Sequence, residues 1–242
     1  MSYSGKVVVI TGASRGIGAG LANEFAAAGV KLGLCARSMS SETTAARLTR
    51  TVDVRNGEAV ETFAAEVAEH LGPIDLWINN AGVLSPIAPL RDIGSEDFAS
   101  HIAINVHGVF HGSRAFVRQV RTSGREGVLV NISSGAARHA YSGWSAYCAS
   151  KAAVDRLSEC IALEEADTAL RVYSVAPGVI DTDMQALIRS TSADDFPMVD
   201  RFVHMKENDE FSSVRFVAEQ MLELAFGDSR PEEVLTSFSP GK

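Results

Sequence analysis

Short apolar runs alternate along this chain with longer stretches of helical period. The runs are Val7 to Thr11, Leu32 to Cys35, Val52 to Val54, Ile74 to Ile78, Val128 to Ile132 and Val172 to Ala176. Each has the length of a strand rather than of a helix. Between the first two, Ile17, Leu21, Phe25 and Ala28 fall at helical offsets, and Gly29 supplies a C-terminal stop. The same spacing predicts helices within Ala59 to Leu71, Phe98 to Val120 and Ala152 to Leu163, punctuated by Gly72-Pro73 and Ser123-Gly124. Strand, helix and strand in succession form a βαβ rhythm. Runs that are apolar at every position, such as Val128-Leu129-Val130, predict burial on both faces, which happens when helices cover both sides of a parallel sheet.

The glycine spacing sharpens this expectation. After the first run comes Thr11-Gly12-Ala13-Ser14-Arg15-Gly16-Ile17-Gly18, where glycines permit a tight turn, close backbone approach to a pyrophosphate and tight helix packing. A phosphate can sit at the following helix N-terminus, held by unpaired N–H groups and the positive end of the helix dipole. The expected fold class is therefore α/β: a single doubly wound, Rossmann-type parallel sheet with helices on both faces, one domain over residues 1–242. Ligands in such sheets bind outside the carboxyl ends of the strands.

Composition narrows the partners. A chain of 242 residues with 46% hydrophobic and 21% charged residues is expected to be compact and to bury a real core. Its formal charge of -8, from 22 basic and 30 acidic side chains, has the wrong sign for nucleic acid or anionic lipid. No nucleic-acid or membrane partner is expected. Cys35, Cys148 and Cys160 lack CxxC spacing and are odd in number, which suits a reducing cytoplasm. The Val7–Ile10 run is too short for a signal-peptide core.

An acidic residue at the end of the second strand marks a site for the 2'-hydroxyl of NAD. Here that place reads Cys35-Ala36-Arg37-Ser38. Arg37, together with Arg15 in the glycine loop, is suited instead to a 2'-phosphate, each charge-assisted contact contributing roughly 1.5 to 3 kcal/mol. The expected cofactor is NADP. Both arginines could also be ordinary solvated charges.

Tyr147 and Lys151 stand four residues apart at the head of a predicted helix, so their side chains share a face. At about 4 Å and an effective dielectric near 20, an ammonium favours a phenolate by roughly 4 kcal/mol. That spacing predicts a phenol whose pKa is drawn down toward neutrality. Ser133 and Ser134 end the fifth predicted strand, where either hydroxyl could hydrogen-bond a substrate carbonyl.

Taken together, Thr11 to Gly18, Asn79-Asn80-Ala81-Gly82, Asn105, Ser134, Tyr147-x-x-x-Lys151 and Pro177-Gly178 resemble the short-chain dehydrogenase/reductase family over nearly the whole chain. The resemblance selects Ser134 over Ser133, because the family's serine precedes its tyrosine by thirteen residues. It implies that Tyr147 donates the proton in carbonyl reduction. Lys151 would bind the nicotinamide ribose and lower the tyrosine pKa, and Asn105 would hold a water in the proton relay. It further implies cofactor contacts from Gly12, Ser14, Arg15, Gly16, Ile17, Gly18, Arg37, Asp53 at the adenine amino group, and Val54. Others are implied from Asn79, Asn80, Ala81, Gly82, Tyr147, Lys151, Pro177, Gly178, Ile180 and Thr182. Asp53 also reads as a turn residue, and Pro177-Gly178 as a chain reversal.

Residues 38–50 leave room only for a loop or shortened helix where many family members carry a full one. The stretch 183–213 mixes Met184, Leu187, Ile188, Phe196, Met198, Phe202 and Met205 with many charges, and is expected to form a substrate lid. His107 and His111 are four apart but lack a third metal ligand, so no metal is expected. Cys148 is given no role. Val130 to Tyr147 and Val175 to Gln185 look most similar to the sepiapterin reductase and benzil reductase branch. That implies an NADPH-dependent carbonyl reductase acting on a ketone or vicinal diketone. A 3-oxoacyl carrier-protein reductase and a non-catalytic NADP-binding regulator are the alternatives. The family resemblance also implies a homodimer or homotetramer.

Overall fold

The computed structural model describes residues 3–228 and 230–238. Their strands form one eight-stranded sheet in the order β3-β4-β2-β1-β5-β6-β7-β8. In chain order the first elements are β1 (Val7–Thr11), α1 (Gly16–Ala27), β2 (Lys31–Ala36), β3 (Glu42–Thr43), β4 (Arg47–Thr51), α2 (Gly57–Leu71) and β5 (Leu76–Asn79). Then come α3 (Ser95–Ile102), α4 (Gly108–Ser123), β6 (Gly127–Ile132), α5 (Ser145–Glu164), β7 (Leu170–Ala176), α6 (Asp183–Arg189), α7 (Val199–Glu207), α8 (Val214–Phe226) and β8 (Leu235–Ser237). All neighbouring strands run parallel except β3, which pairs antiparallel with β4.

Alternate residues of each strand feed two cores. On one face Val8, Ile10, Leu32, Leu34, Leu76, Ile78, Val128, Val130 and Val175 pack against Leu21 and Phe25 of α1 and Val217 and Met221 of α8. On the other, Val7, Val9, Leu48, Trp77, Leu129 and Val172 meet Val60 and Phe63 of α2, Phe116 of α4 and Ile161 of α5. Burial of both faces is why these strands read as unbroken apolar runs. Each fully buried Leu, Ile or Phe removes apolar surface worth about 1.5 to 3 kcal/mol.

Two expectations are corrected. The third strand is not Val52 to Val54 but β4, ending at Thr51, so Asp53 and Val54 follow the strand rather than belong to it. Residues 38–50 form neither loop nor short helix alone, because β3 and β4 make a hairpin at the sheet edge. β4 reads Arg-Leu-Thr-Arg-Thr, and this strand, next to the two-residue edge strand β3, tolerates that polar pattern because only part of it faces the core. Arg50 lies along the surface and bonds Glu66 of α2 at 2.6 Å. The predicted Phe98–Val120 helix is a continuous rod of α3 and α4 interrupted by a π-helical turn at Ala103–His107, where the Gly108 N–H reaches back to the Ala103 carbonyl.

The order β2-β1-β5 places the point where chain direction across the sheet reverses between β1 and β5. A crevice opens there, at the carboxyl ends of both strands.

Candidate active site

A cleft of about 1000 Å³ runs across the carboxyl edge of the sheet. Gly12, Ser14, Arg15, Gly16 and Ile17 line one end with Arg37, Asp53, Val54, Asn80, Ala81 and Gly82. Ser133, Ser134, Tyr147, Lys151, Pro177, Gly178, Ile180 and Thr182 line the other. The structure thus gathers most of the sequence-predicted positions into one cavity.

Its floor is stitched together by bonds between side chains and backbone. Thr11 Oγ1 accepts from the Asn80 and Ala81 N–H groups, both at 3.1 Å, and Asn80 Nδ2 donates to the Thr11 carbonyl at 2.9 Å. Gly12 has φ +68, and a Cβ there would come within 2.7 Å of Ala81 Cα, so only glycine allows the β1 and β5 loops to touch. The first turn of α1 has no side-chain cap and no acidic residue. Its leading N–H groups are therefore left for an anionic ligand, as a pyrophosphate requires.

Two predicted cofactor residues, Gly18 and Asn79, and the predicted catalytic Asn105 do not line the cleft. Gly18 is buried on the inner face of α1, where Asn80 Nδ2 and the Gly12 carbonyl would meet any added Cβ at 2.5 Å. Asn79 is a core residue, accepting from Trp77 Nε1 at 2.8 Å and donating to Asn131 Oδ1 at 2.8 Å and Ser113 Oγ at 3.1 Å. Asn131 extends this network to Ser158 Oγ at 2.9 Å. A buried amide must satisfy its polar atoms, and here β5, β6, α4 and α5 do so before any ligand could. Asn105 is also buried. Its Oδ1 accepts from the Val83 N–H and its Nδ2 donates to the Val83 carbonyl, each at 2.8 Å.

Asp53 carries an unforeseen partner. Its carboxylate is gripped in a fork by Arg55, with Arg55 Nε 3.0 Å from both oxygens. Arg55 holds the Asp53 carboxyl below its usual range, with Arg37 adding to the effect. An adenine amino group would share that carboxylate with Arg55. Arg15 faces Asp183 at 3.8 Å, a loose pair between two exposed groups that joins the glycine loop to the head of α6.

Ser134 follows β6 as expected, its Oγ accepting from the Ala136 N–H at 3.2 Å, and it lies close enough to Tyr147 to lower the phenol's pKa. Tyr147 and Lys151 stand on successive turns of α5, both buried, with Lys151 Nζ 5.6 Å from the centre of the tyrosine ring. The ammonium donates to the Ile132 carbonyl at 2.7 Å. The expected fall in the tyrosine pKa is overturned. Burial pushes the Tyr147 phenol up to about 12, against a smaller lowering from Ser134. Burial likewise draws Lys151 down to about 8. Desolvation penalises the charged form of each group and is the largest influence on both.

The remaining wall is aromatic. Trp144, which caps α5, stacks on Phe196 with centroids 4.5 Å apart and planes 5° from parallel, and Phe202 and Tyr147 lie 5.6 Å from the indole. Ile188, Phe196 and Phe202 from the 183–213 stretch are buried in this cluster. His111 is engaged with the Val54 carbonyl at 2.8 Å. Among the described residues no cluster of three metal-ligating side chains occurs, and no helix is long and apolar enough to cross a membrane.

The sequence reading missed His101, Ser150, Trp144, Arg55 and the π turn. Only His101 left a usable signal: its four-residue offset from Asn105 on a predicted helix.

Residues 6–193 match the model of the short chain dehydrogenase family. The chain is 30% identical to a benzil reductase ((S)-benzoin forming) of Bacillus cereus, over 94% of this chain and 96% of that one. It is 34% identical to an NADPH-dependent pterin aldehyde reductase of Arabidopsis thaliana, over 74% and 76%. A crystal structure of a short chain dehydrogenase from Burkholderia cenocepacia J2315 in complex with NADP superposes with a TM-score of 0.77 at 27% identity, over 99% of this chain and 90% of that one. With its glycine loop, its Ser134, Tyr147 and Lys151 cluster and these relatives, the chain belongs to the short-chain dehydrogenase family and is an NAD(P)-dependent oxidoreductase.

Proposed function

We propose that this protein is an NADPH-dependent carbonyl reductase, taking a ketone or vicinal diketone of the benzil or sepiapterin type to an alcohol or hydroxy ketone. The observation that carries this reading is the placement of Ser134, Tyr147 and Lys151 in one cleft whose substrate end is walled by Tyr141, Trp144 and Phe202. An aromatic wall favours flat, apolar substrates. Arg15 and Arg37 line the opposite end, and Ala36-Arg37 stands where an NAD site would place a carboxylate, which supports the 2'-phosphate form of the cofactor.

The residues fit the dinucleotide: uncapped N–H groups at α1, a glycine floor without side chains, and a cleft large enough for it and a small substrate. When bound, the reduced nicotinamide supplies a hydride to the carbonyl carbon. Gly12 to Ile17 hold the pyrophosphate through backbone donors, and Lys151 orients the ribose. Ser134 donates to the substrate oxygen and stabilises the charge that develops there. Tyr147, protonated throughout the neutral range because its pKa lies near 12, gives its hydroxyl proton to that oxygen. A protonated Lys151 beside the phenolate that forms stabilises it and so eases departure of the tyrosine proton.

The stretch 183–213 acts in this proposal as a substrate lid, supported by Met184, Leu187, Ile188, Phe202 and Met205 lining the cleft. Phe110 on α4 and Leu163 on α5, both exposed, support a homodimer or homotetramer. Three free cysteines, with Cys35 pushed up to about 12 by burial, support a cytoplasmic setting. The test is NADPH and NADH oxidation across a panel of diketones, aromatic ketones and 3-oxoacyl thioesters. Turnover of diketones with NADPH is expected. Selective turnover of the thioesters, or equal use of NADH, contradicts the reading.

A further inference from the structure

We infer that His101 is a positioning residue, whose neutral imidazole holds Asn105, the Val83–Ser85 wall of the cleft and the Tyr147 turn in register. This goes beyond the proposed reduction and rests on it only for its kinetic consequence.

The hydrogen bonds leave a single tautomer of the neutral ring. Asn105 cannot flip, because the Val83 N–H needs its oxygen and the Val83 carbonyl needs its nitrogen, each at 2.8 Å. His101 Nδ1 lies 2.8 Å from the Ser85 carbonyl, which can only accept, so Nδ1 carries the proton. His101 Nε2 then remains an acceptor, 3.0 Å from Asn105 Nδ2, which donates to it. Ser150 Oγ lies 3.0 Å from the same nitrogen, 3.3 Å from Asn105 Nδ2 and 2.8 Å from the Tyr147 carbonyl, so its one hydroxyl proton serves either Nε2 or that carbonyl, and Nε2 is an acceptor in both cases. One ring therefore ties three elements: the loop after β5, the π turn bearing Asn105, and the α5 turn bearing Tyr147.

A second proton on the ring could be accepted by Ser150 Oγ, but it would take from Asn105 Nδ2 the nitrogen that accepts its hydrogen, setting donor against donor there. The charged group acting on the imidazole opposes that proton. From α5 come Lys151, a cation that disfavours it, and the Tyr147 ring edge-on at 6.2 Å. Asp97, one turn earlier on the same helix, is the nearest acidic residue along α3, and Val83 to Pro86 contribute no titratable group. Burial pushes His101 below the usual histidine range, so the neutral ring persists at physiological pH.

The experiment compares the wild type, His101→Phe and His101→Gln. His101→Phe leaves the Ser85 carbonyl and an Asn105 N–H unpaired, and kcat is expected to fall about 10- to 100-fold while the Kd for NADPH stays within about threefold. His101→Gln, which keeps a donor and an acceptor but does not titrate, is expected to recover most of kcat and to lack the acid limb expected of the wild type where His101 takes up its second proton. Wild-type kcat in the Phe variant, or an unchanged acid limb in the Gln variant, overturns the inference. Nitrogen-15 NMR of the wild type is independent of both folding of the variants and turnover. It is expected to report the Nδ1–H tautomer at pH 7; the Nε2–H tautomer or an imidazolium overturns the inference. A wild type without carbonyl reductase activity would contradict the proposed function and leave the tautomer measurement to decide this one.

Discussion

Trp144 and Phe196 stack face to face at 4.5 Å, which fastens the stretch after α6 to the residue that caps the catalytic helix. Both are nearly excluded from water, with 5% and 0% of their surface exposed. Any lid movement must therefore pivot around Phe196 or break this stack. Phe196→Ala should cost roughly 3 to 5 kcal/mol of stability by urea unfolding and should make the 183–213 stretch more open to protease. A loss below about 1 kcal/mol would show that the stack is not an anchor.

Lys151 is expected to be held at a cost to the fold. Its pKa drops from 10.5 to about 8 through burial, which corresponds to roughly 3 kcal/mol of destabilisation while both folded and unfolded chains are protonated. Between pH 8 and 10.5 the unfolded chain keeps a proton that the folded one has lost, so the cost fades as pH rises. Lys151→Met should raise the cofactor-free Tm at pH 7, and the gain should shrink toward pH 10. It should also abolish turnover. A Tm gain that does not change between pH 7 and 10 contradicts this account of the lysine.

Cofactor choice is expected to reside in Arg37 and Arg15, which line the same end of the cleft. Removing one charge-assisted contact, worth about 1.5 to 3 kcal/mol, should lower kcat/KM for NADPH about 10- to 150-fold in Arg37→Ala and leave the NADH value nearly unchanged. Parallel loss with both cofactors would place Arg37 outside the phosphate site.

Most of the scaffold was legible because a doubly covered parallel sheet writes itself as apolar runs: β1, β2, β6 and β7 coincide with runs seen in the sequence. β4 was displaced because this strand near the sheet edge buries only part of its surface, and Arg47 and Arg50 carry no period-two signal. The π turn has no residue code at all. Within the site, the positions fixed by backbone shape, Gly12 and the Tyr147 to Lys151 offset, were readable. Asn79 was misjudged because its type and place suit a ligand equally well as a buried network, and only the packing of Trp77, Ser113 and Asn131 around it decides. The tyrosine pKa was misjudged for a related reason: spacing reports which charges are near, while burial depends on everything else.

The central claim is that the Tyr147 hydroxyl hands its proton to a carbonyl oxygen as hydride reaches the adjacent carbon. Single-turnover oxidation of bound NADPH by benzil, in wild type and Tyr147→Phe, tests it most directly. The variant should bind NADPH with a Kd within about threefold of wild type, since the ring is kept, and react at least about a thousandfold more slowly, in line with loss of a general acid. Wild-type reaction rates in Tyr147→Phe would contradict the account.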